Sequence, residues 1–228
     1  MLKLTDLSFS FGQQSILKDI SISMEYGNVY GILGKNGAGK TTLFRNIMGW
    51  YQPDLGGVTL DHHPIGKDKI AFLETANYFY PYMKGREYLQ LINENAREHG
   101  QSLADVLSVP LDHLVDSYST GMKKKLAFIG ALILNRPLIL LDEPFNGVDL
   151  ESNEVLKQLI RINKPGKITL MSSHILSTLF DSCDTIFYLN EGLIQAFDQP
   201  AFGELEKVIQ TGIEEKMGNY TGLDLPEE

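Results

Sequence analysis

The segment that most constrains the fold is the glycine-rich stretch GKNGAGKTT at positions 34–42. It fits the pattern G-x-x-x-x-G-K-[ST], follows a short apolar segment typical of a strand, and precedes helical spacing at 43–48. Glycines at this spacing let backbone N–H groups face phosphate oxygens, while a lysine reaches the β- and γ-phosphates and a threonine hydroxyl reaches Mg²⁺. The stretch predicts a nucleoside triphosphate site built from Gly34, Lys35, Asn36, Gly37, Ala38, Gly39, Lys40, Thr41 and Thr42.

A second motif, LILLDEP at 138–144, adds two acidic side chains. Its four apolar residues predict a buried central strand. Asp142 at the end of that strand can hold Mg²⁺ directly or through water, and Glu143 can polarise an attacking water. A buried strand that ends in an acidic turn is common by itself, but together with the glycine-rich segment it indicates triphosphate hydrolysis.

The hydrophobic period changes along the chain, which predicts an α/β core with a helical insertion. Residues 75–135 lack β-type alternation and are rich in Glu, Asn, Lys and Leu, so we expect them to be mostly helical. Strands are expected at 2–11, 16–24, 29–33, 138–141 and 168–171, with a short strand pair at 58–66 and a hairpin at 185–197.

Composition limits the partners of the chain. The 228 residues carry a formal net charge of -9, which argues against a surface that binds nucleic acid or anionic lipid unaided. The longest apolar run, at 126–134, is far shorter than the roughly 20 residues needed to span a bilayer, so it predicts a buried helix. The first residues read as a strand rather than a signal peptide, and the only cysteine, Cys183, excludes an internal disulfide. We therefore expect a cytoplasmic protein that does not bind nucleic acid.

These motifs resemble those of the ATP-binding cassette (ABC) ATPases, in family order and over nearly the whole chain. The stretch at 146–149 resembles the D-loop of that family, and Ser173-His174 resembles its switch histidine. The sequence YSTGM at 118–122 occupies the place of the family signature. The resemblance implies one ABC domain over 1–228, with a P-loop NTPase (RecA-like) core and an N-terminal antiparallel β-subdomain. It also implies an inserted helical subdomain at about 75–135 and a short C-terminal helix and tail at about 201–228.

The resemblance also implies roles for individual side chains. Ser119 and Gly121 would contact the γ-phosphate of ATP held by a second copy in a head-to-tail dimer. Glu143 would be the general base, and His174 would contact the γ-phosphate. Asp149 would couple the two sites of the dimer. Phe11 would stack on adenine, its alternative role being that of a core residue in an N-terminal strand.

The glutamine that the family places near Mg²⁺ is missing here. Its position falls on Thr75, with Glu74 in place of the usual proline, and a shift of one residue would put Glu74 there instead. Both alternatives are open from the sequence. The predicted metal ligands are Thr41, Asp142 and Thr75. The signature departs as well, because Thr120 and Met122 stand where glycine and glutamine are usual.

The resemblance implies an ATP-hydrolysing subunit that uses ATP and Mg²⁺ and drives transport by a separate membrane permease on the inner face of the cell membrane. The form of the signature favours export. A second ABC subunit would complete the dimer, and we expect it to be an identical copy in the ATP-bound state, although the sequence leaves a different subunit open. Two alternatives remain: an ABC ATPase of DNA repair, chromosome organisation or translation, and a module that senses ATP without hydrolysing it.

Two further features are expected to have no special role. The three lysines at 123–125 are predicted to form a solvated helix face of an acidic protein. His62 and His63 are predicted to lie in an exposed turn, because a third metal ligand is not evident nearby.

Overall fold

A computed structural model of the chain describes residues 1–218. The strands are β1 Leu2–Phe11, β2 Gln14–Met24, β3 Asn28–Leu33, β4 Leu55–Leu60, β5 Ile70–Leu73, β6 Leu138–Leu141, β7 Ile168–Ser173, β8 Thr185–Asn190 and β9 Leu193–Asp198. The α-helices are α1 Lys40–Ile47, α2 Gly85–Ile92, α3 Arg97–Val106, α4 Thr120–Ile133, α5 Leu150–Ile162, α6 Leu176–Phe180 and α7 Phe202–Gly218. Of the predicted C-terminal segment, α7 is described, and residues 219–228 lie outside the described part of the chain.

The N-terminal strands form a three-stranded antiparallel sheet in the order β2-β1-β4. Its alternating apolar side chains, such as Leu2 and Leu4, are fully buried. The prediction of a strand pair at 58–66 was wrong. Strand β4 pairs with β1, and the segment that follows β4 makes only an isolated bridge between Leu60 and His63. Asp61 and His62 have positive φ angles that turn the chain sharply there.

The central sheet has six strands in the order β5-β6-β7-β3-β8-β9 and is parallel except for β9. All four residues of β6 are buried because both faces of the sheet are covered. Leu138 and Leu140 pack in the core shared with α1 and the antiparallel sheet. Ile139 and Leu141 pack on the other face, in the core shared with α4 and α5. The predicted α/β fold class is confirmed.

Three helices, α2, α3 and α4, lie between β5 and β6 in the chain, where the sequence predicted a helical insertion. One detail differs from that prediction, because residues 74–84 form a loop rather than a helix. The strand at 70–73 lies before the predicted insertion and was not expected. The apolar run at 126–134 is a buried helix as expected, since every residue of α4 from Leu126 to Ile133 is buried. Within residues 1–218, none of the helices combines the length and the apolar character needed to cross a membrane.

Strand register decides which loops meet at the carboxyl edge of this sheet. Leu141 of β6 is paired with Met171 of β7, and Leu33 of β3 is paired with Ser173 of β7. The residues that follow β3 and β6 therefore lie beside the end of β7. The glycine-rich loop, the acidic pair and the histidine are brought together by parallel pairing over about a hundred intervening residues.

Candidate active site

The glycine-rich loop runs from the end of β3 to the start of α1 and folds around its own lysine. Lys40 Nζ donates hydrogen bonds to the carbonyl oxygens of Gly34 at 2.8 Å and Lys35 at 3.3 Å. Gly39 has a φ of 106°, and a Cβ there would lie 2.9 Å from the Ile16 side chain, so glycine is required on two counts. The helix that follows presents its N-terminal N–H groups at the loop, as in anion-binding helix starts.

Oxygen atoms gather around the Asp142 carboxylate. The hydroxyl groups of Thr41 and Thr75 donate to the same oxygen, Oδ2, at 2.7 and 2.8 Å. The Ser172 hydroxyl donates to the other oxygen, Oδ1, at 2.5 Å. Of the two residues that the sequence left open, Thr75 is therefore the one whose side chain contacts Asp142.

These groups fit Mg²⁺, which prefers oxygen ligands and is often held by one carboxylate together with substrate phosphates. Asp142 supplies the carboxylate and Thr41 supplies a hydroxyl at the first residues of α1. Within residues 1–218, His, Cys, Asp and Glu side chains form no group of three or more that could hold a metal. A site that includes nucleotide phosphates is thus better suited to this arrangement than an all-protein cage.

Glu143 is buried and held from two sides. Its Oε1 lies 3.2 Å from Lys40 Nζ without the angles of a hydrogen bond, and its Oε2 lies 3.1 Å from His174 Nδ1. The backbone of Glu143 has a φ of 50°, which is uncommon for a non-glycine residue and must be held by surrounding contacts. A buried carboxylate oxygen with no hydrogen bond is an acceptor available to a water molecule.

Ser172 links the two acidic residues and was missed by the sequence reasoning. Besides donating to Asp142, its hydroxyl accepts a hydrogen bond from the Glu143 backbone N–H at 2.9 Å. The signal that could have found it is the parallel pairing of the strands at 138–141 and 168–171, which sets the residue after the second strand beside Asp142.

A cavity of about 470 Å³ opens onto these groups, a volume ordinary for a small-molecule site. Its lining includes most of the predicted residues: Phe11, Asn36, Gly37, Gly39, Lys40, Thr41, Thr42, Thr75, Asp142, Glu143 and His174. Gly34, Lys35 and Ala38 belong to the same loop but do not line the cavity. Ile16 and Asn146 line it and were not predicted to do so.

Phe11 lies at the end of β1 on the edge of this cavity. The side chain is 49% exposed, so the alternative role as a core residue is wrong. Its ring contacts Phe9 and Tyr51 edge-on, with centroid distances of 4.9 and 5.5 Å. An aromatic face supported in this way and open to solvent is suited to stacking on a planar base.

Three further predicted residues, from other parts of the chain, lie outside the cavity. Ser119 caps the N-terminus of α4 by accepting the N–H of Met122 at 3.1 Å, and its side chain is exposed. Gly121 is required by packing, because a Cβ there would lie 2.7 Å from the Gly147 carbonyl oxygen. Asp149 caps α5, and its hydrogen bonds from the Ser152 N–H and hydroxyl, both 2.8 Å, lower the pKa of its carboxyl group.

Comparison with known proteins decides the family. A profile described as ABC transporter matches residues 17–146, more than half of the chain. The chain belongs to the ABC transporter family. The predicted resemblance to ABC transporter ATP-binding subunits is therefore confirmed, and with it membership of a family that binds ATP.

A relative and two solved structures show how far the similarity of this ABC subunit extends. The bacitracin transport ATP-binding protein BcrA of Bacillus licheniformis is 33% identical over 91% of this chain and 72% of its own length. A solved ATP-binding subunit of an ABC transporter is 26% identical, with a TM-score of 0.78 over 87% of this chain and 90% of that one. The dimeric post-hydrolysis structure of the cassette MJ0796, bound to ADP and Pi, is 22% identical. It shares the fold with a TM-score of 0.78, over 87% of this chain and 99% of that one.

The lysines of this ABC subunit contradict the prediction of a solvated helix face. Lys124 is 4% and Lys125 is 7% exposed, and only Lys123 is partly open to solvent. Lys125 Nζ donates to the Ser152 hydroxyl at 3.2 Å and lies 3.9 Å from the Asp149 carboxylate. Every residue of α4 from Lys124 to Ile133 is buried, so the two lysines just before the apolar run are enclosed with it, whereas the first turn of the helix is more open.

The histidine pair behaves as the sequence predicted. His62 and His63 are exposed. Cys183 is buried, and burial raises the pKa of its thiol well above the ordinary value. A thiol in that state is a small apolar side chain rather than a nucleophile.

Proposed function

We propose that this ABC subunit binds ATP with Mg²⁺, hydrolyses it, and so drives export through a separate membrane permease. The observation that carries the proposal is the meeting of Lys40, Asp142 and Glu143 in one cavity. We also propose that residues 1–228 form a single cassette domain, with a helical subdomain at about 75–135.

The phosphate groups would be held by the glycine-rich loop. Backbone N–H groups of this loop and the start of α1 stabilise negative charge, and Lys40 adds a cation. Bound Mg²⁺ would neutralise charge on the β- and γ-phosphates, held by Thr41 and Asp142 with Thr75 beside them. Phe11 would stack on the adenine ring at the edge of the cavity.

Proton transfer would fall to Glu143. Its Oε1 is close to Lys40 Nζ, and a bound γ-phosphate would attract that ammonium group. Glu143 Oε1 is then free to accept a proton from the attacking water, since the rest of the carboxylate is held by His174. His174 orients Glu143 and is close enough to the cavity to contact the γ-phosphate.

A head-to-tail dimer would complete the site. Ser119 and Asp149 are exposed, and together with Gly121 they lie outside the cavity of their own chain. The N-terminal end of α4 carries the partial positive charge of a helix dipole, which suits a phosphate held by a second copy. The dimeric structure of MJ0796 supports this arrangement by its shared fold.

Docking on a permease is supported by the loop that follows Thr75. Tyr78, Tyr80 and Tyr82 are 76%, 56% and 83% exposed, and aromatic side chains are typical anchors of protein interfaces. The edge of the site where Thr41, Thr75 and Asp142 meet is called the magnesium edge. Because the loop includes Thr75, a partner bound to the loop would act on this edge. The form of the signature supports export, and the similarity to a bacitracin transport protein supports a role in transport. The subunit would lie on the inner face of the membrane, attached through the permease.

The experiment that tests the proposal is the solution mass of Glu143→Gln with and without MgATP, measured by light scattering. We expect a dimer only with MgATP, because ATP bridges the copies and cannot be hydrolysed. Ser119→Arg in the same background is the control and is expected to stay monomeric. A monomer of Glu143→Gln under all conditions, together with no ATPase activity of the wild type, would contradict the proposal.

A further inference from the structure

Lys124 is a buried cation that the proposed reaction does not use. Its Nζ donates hydrogen bonds to the backbone carbonyl oxygens of Glu74 at 3.2 Å and Thr75 at 3.0 Å. Burial lowers the pKa of Lys124, while the charges of Asp142 and Glu143 act in the opposite direction. An apolar side chain of similar length would fill the same space without this desolvation, so packing alone does not explain a lysine here.

The two carbonyl groups belong to a segment that has no regular structure to hold it. Residues 74–84 form a loop between β5 and α2, and Thr75 is exposed. The Thr75 hydroxyl nevertheless donates to Asp142 Oδ2, the oxygen that also accepts from Thr41. The ammonium group of Lys124 thus fixes the backbone of Glu74 and Thr75, and the Thr75 side chain reaches the proposed magnesium edge.

Lys124 also connects two parts of the site that are distant in sequence. It lies in α4, the helix that Ser119 caps, whereas Thr75 precedes α2, the first helix of the insertion. We propose that Lys124 is a positioning residue that ties α4 to the 74–75 backbone and holds the Thr75 hydroxyl against Asp142. This inference rests on the proposed binding of MgATP.

The structure offers a direct reporter for the test. Trp50 is the only tryptophan of the chain, is half exposed, and contacts Phe72 edge-on at 5.9 Å on the strand that leads to Glu74. Energy transfer from Trp50 to mant-ATP reports nucleotide binding directly, and this signal does not depend on ATP hydrolysis. Binding is titrated with Mg²⁺, and separately with mant-ATP in EDTA, for the full-length wild type, Lys124→Met, Lys124→Arg and Lys123→Met.

We expect Lys124→Met to need about 10-fold more Mg²⁺ for half-maximal tightening, the scale on which outer partners of metal ligands act. Its affinity for mant-ATP in EDTA should equal that of the wild type, because the glycine-rich loop is untouched. Lys124→Arg should restore most of the Mg²⁺ response. Lys123→Met, the matched control on the same helix, should leave it unchanged.

Thr75→Val shows whether Lys124 acts through Thr75. If it does, adding Lys124→Met to Thr75→Val changes the Mg²⁺ requirement no further. An unchanged Mg²⁺ requirement in Lys124→Met, or additive effects of the two substitutions, overturns the inference. If Lys124→Met does not fold, Lys124→Gln takes its place, because its shorter amide cannot reach both carbonyl groups. A wild type without any Mg²⁺-dependent binding would instead refute the proposed function.

Discussion

Replacing Ser172 with alanine removes one hydroxyl that serves both carboxylates of the site. The side chain is fully buried, donates to Asp142 Oδ1 at 2.5 Å and accepts the Glu143 N–H at 2.9 Å. Alanine leaves that carboxylate oxygen and that N–H group without these partners. The backbone of Glu143 is affected most, because its positive φ depends on surrounding contacts.

The size of the effect follows from the number of groups left unpaired. A buried polar group without a partner lowers the free energy of unfolding by about 1 to 3 kcal/mol. The substitution leaves two such groups, so the upper limit of the stability loss is the cost of both. Asp142 keeps the hydroxyl donors of Thr41 and Thr75 on its other oxygen, so the loss is partial. We expect a stability loss of about 2 to 3 kcal/mol, which lowers the midpoint of thermal unfolding by about 5 to 10 °C in a chain of this size.

The assay compares thermal unfolding and ATPase turnover for Ser172→Ala and Ser173→Ala. Ser173 is the matched control, since its hydroxyl contacts only the backbone of Ile175 among the hydrogen bonds that the described structure contains. Turnover should fall about 10- to 100-fold in Ser172→Ala and little in Ser173→Ala. Wild-type turnover in Ser172→Ala, or equal losses in the two variants, would refute the reasoning.

Two other substitutions test parts of the site that contact no metal ligand. Phe11→Ala should weaken ATP binding by about 5- to 150-fold, since stacking of a base on an aromatic ring contributes about 1 to 3 kcal/mol. Triphosphate without a base should bind both proteins alike, and equal ATP affinity would remove Phe11 from the site. Asp149→Ala should lower the midpoint of thermal unfolding at neutral pH. Because the folded state lowers the pKa of Asp149, the stabilisation is present above the ordinary aspartate pKa and is lost as the pH falls through the lowered value. Melts of both proteins from neutral to acidic pH should therefore converge, and a constant difference would contradict this role.

Part of the site was predictable because its chemistry lies in local spacing. The glycine-rich loop needs positive φ angles and close packing at fixed positions, and the chain carries glycine there. Asp142 and Glu143 follow a strand that is apolar at every position, which indicates burial on both faces. These motifs were sufficient to predict the fold class, and the ABC transporter family followed from the order of the motifs.

Other parts depended on contacts between distant segments. Ser172 had no local signal, and its role follows from the register of β6 against β7. The choice between Glu74 and Thr75 could not be made from the sequence, because a loop of irregular backbone has no period from which side-chain direction can be inferred. The structure gives Thr75 the contact with Asp142.

The lysines at 123–125 show most clearly the difference between what the sequence predicts and what the tertiary structure decides. Their sequence, three charges at the start of a helix, predicts a solvated face, and for Lys123 that is close to what is found. Lys124 and Lys125 are buried because the loop at 74–75 and the first turn of α5 supply oxygen atoms that bind their ammonium groups. The sequence by itself determined the glycine-rich loop, the acidic pair and the α/β fold, since each depends on the order of neighbouring residues. Only the tertiary structure decided which charges are enclosed, because the burial of a charge depends on partners that other segments bring to it.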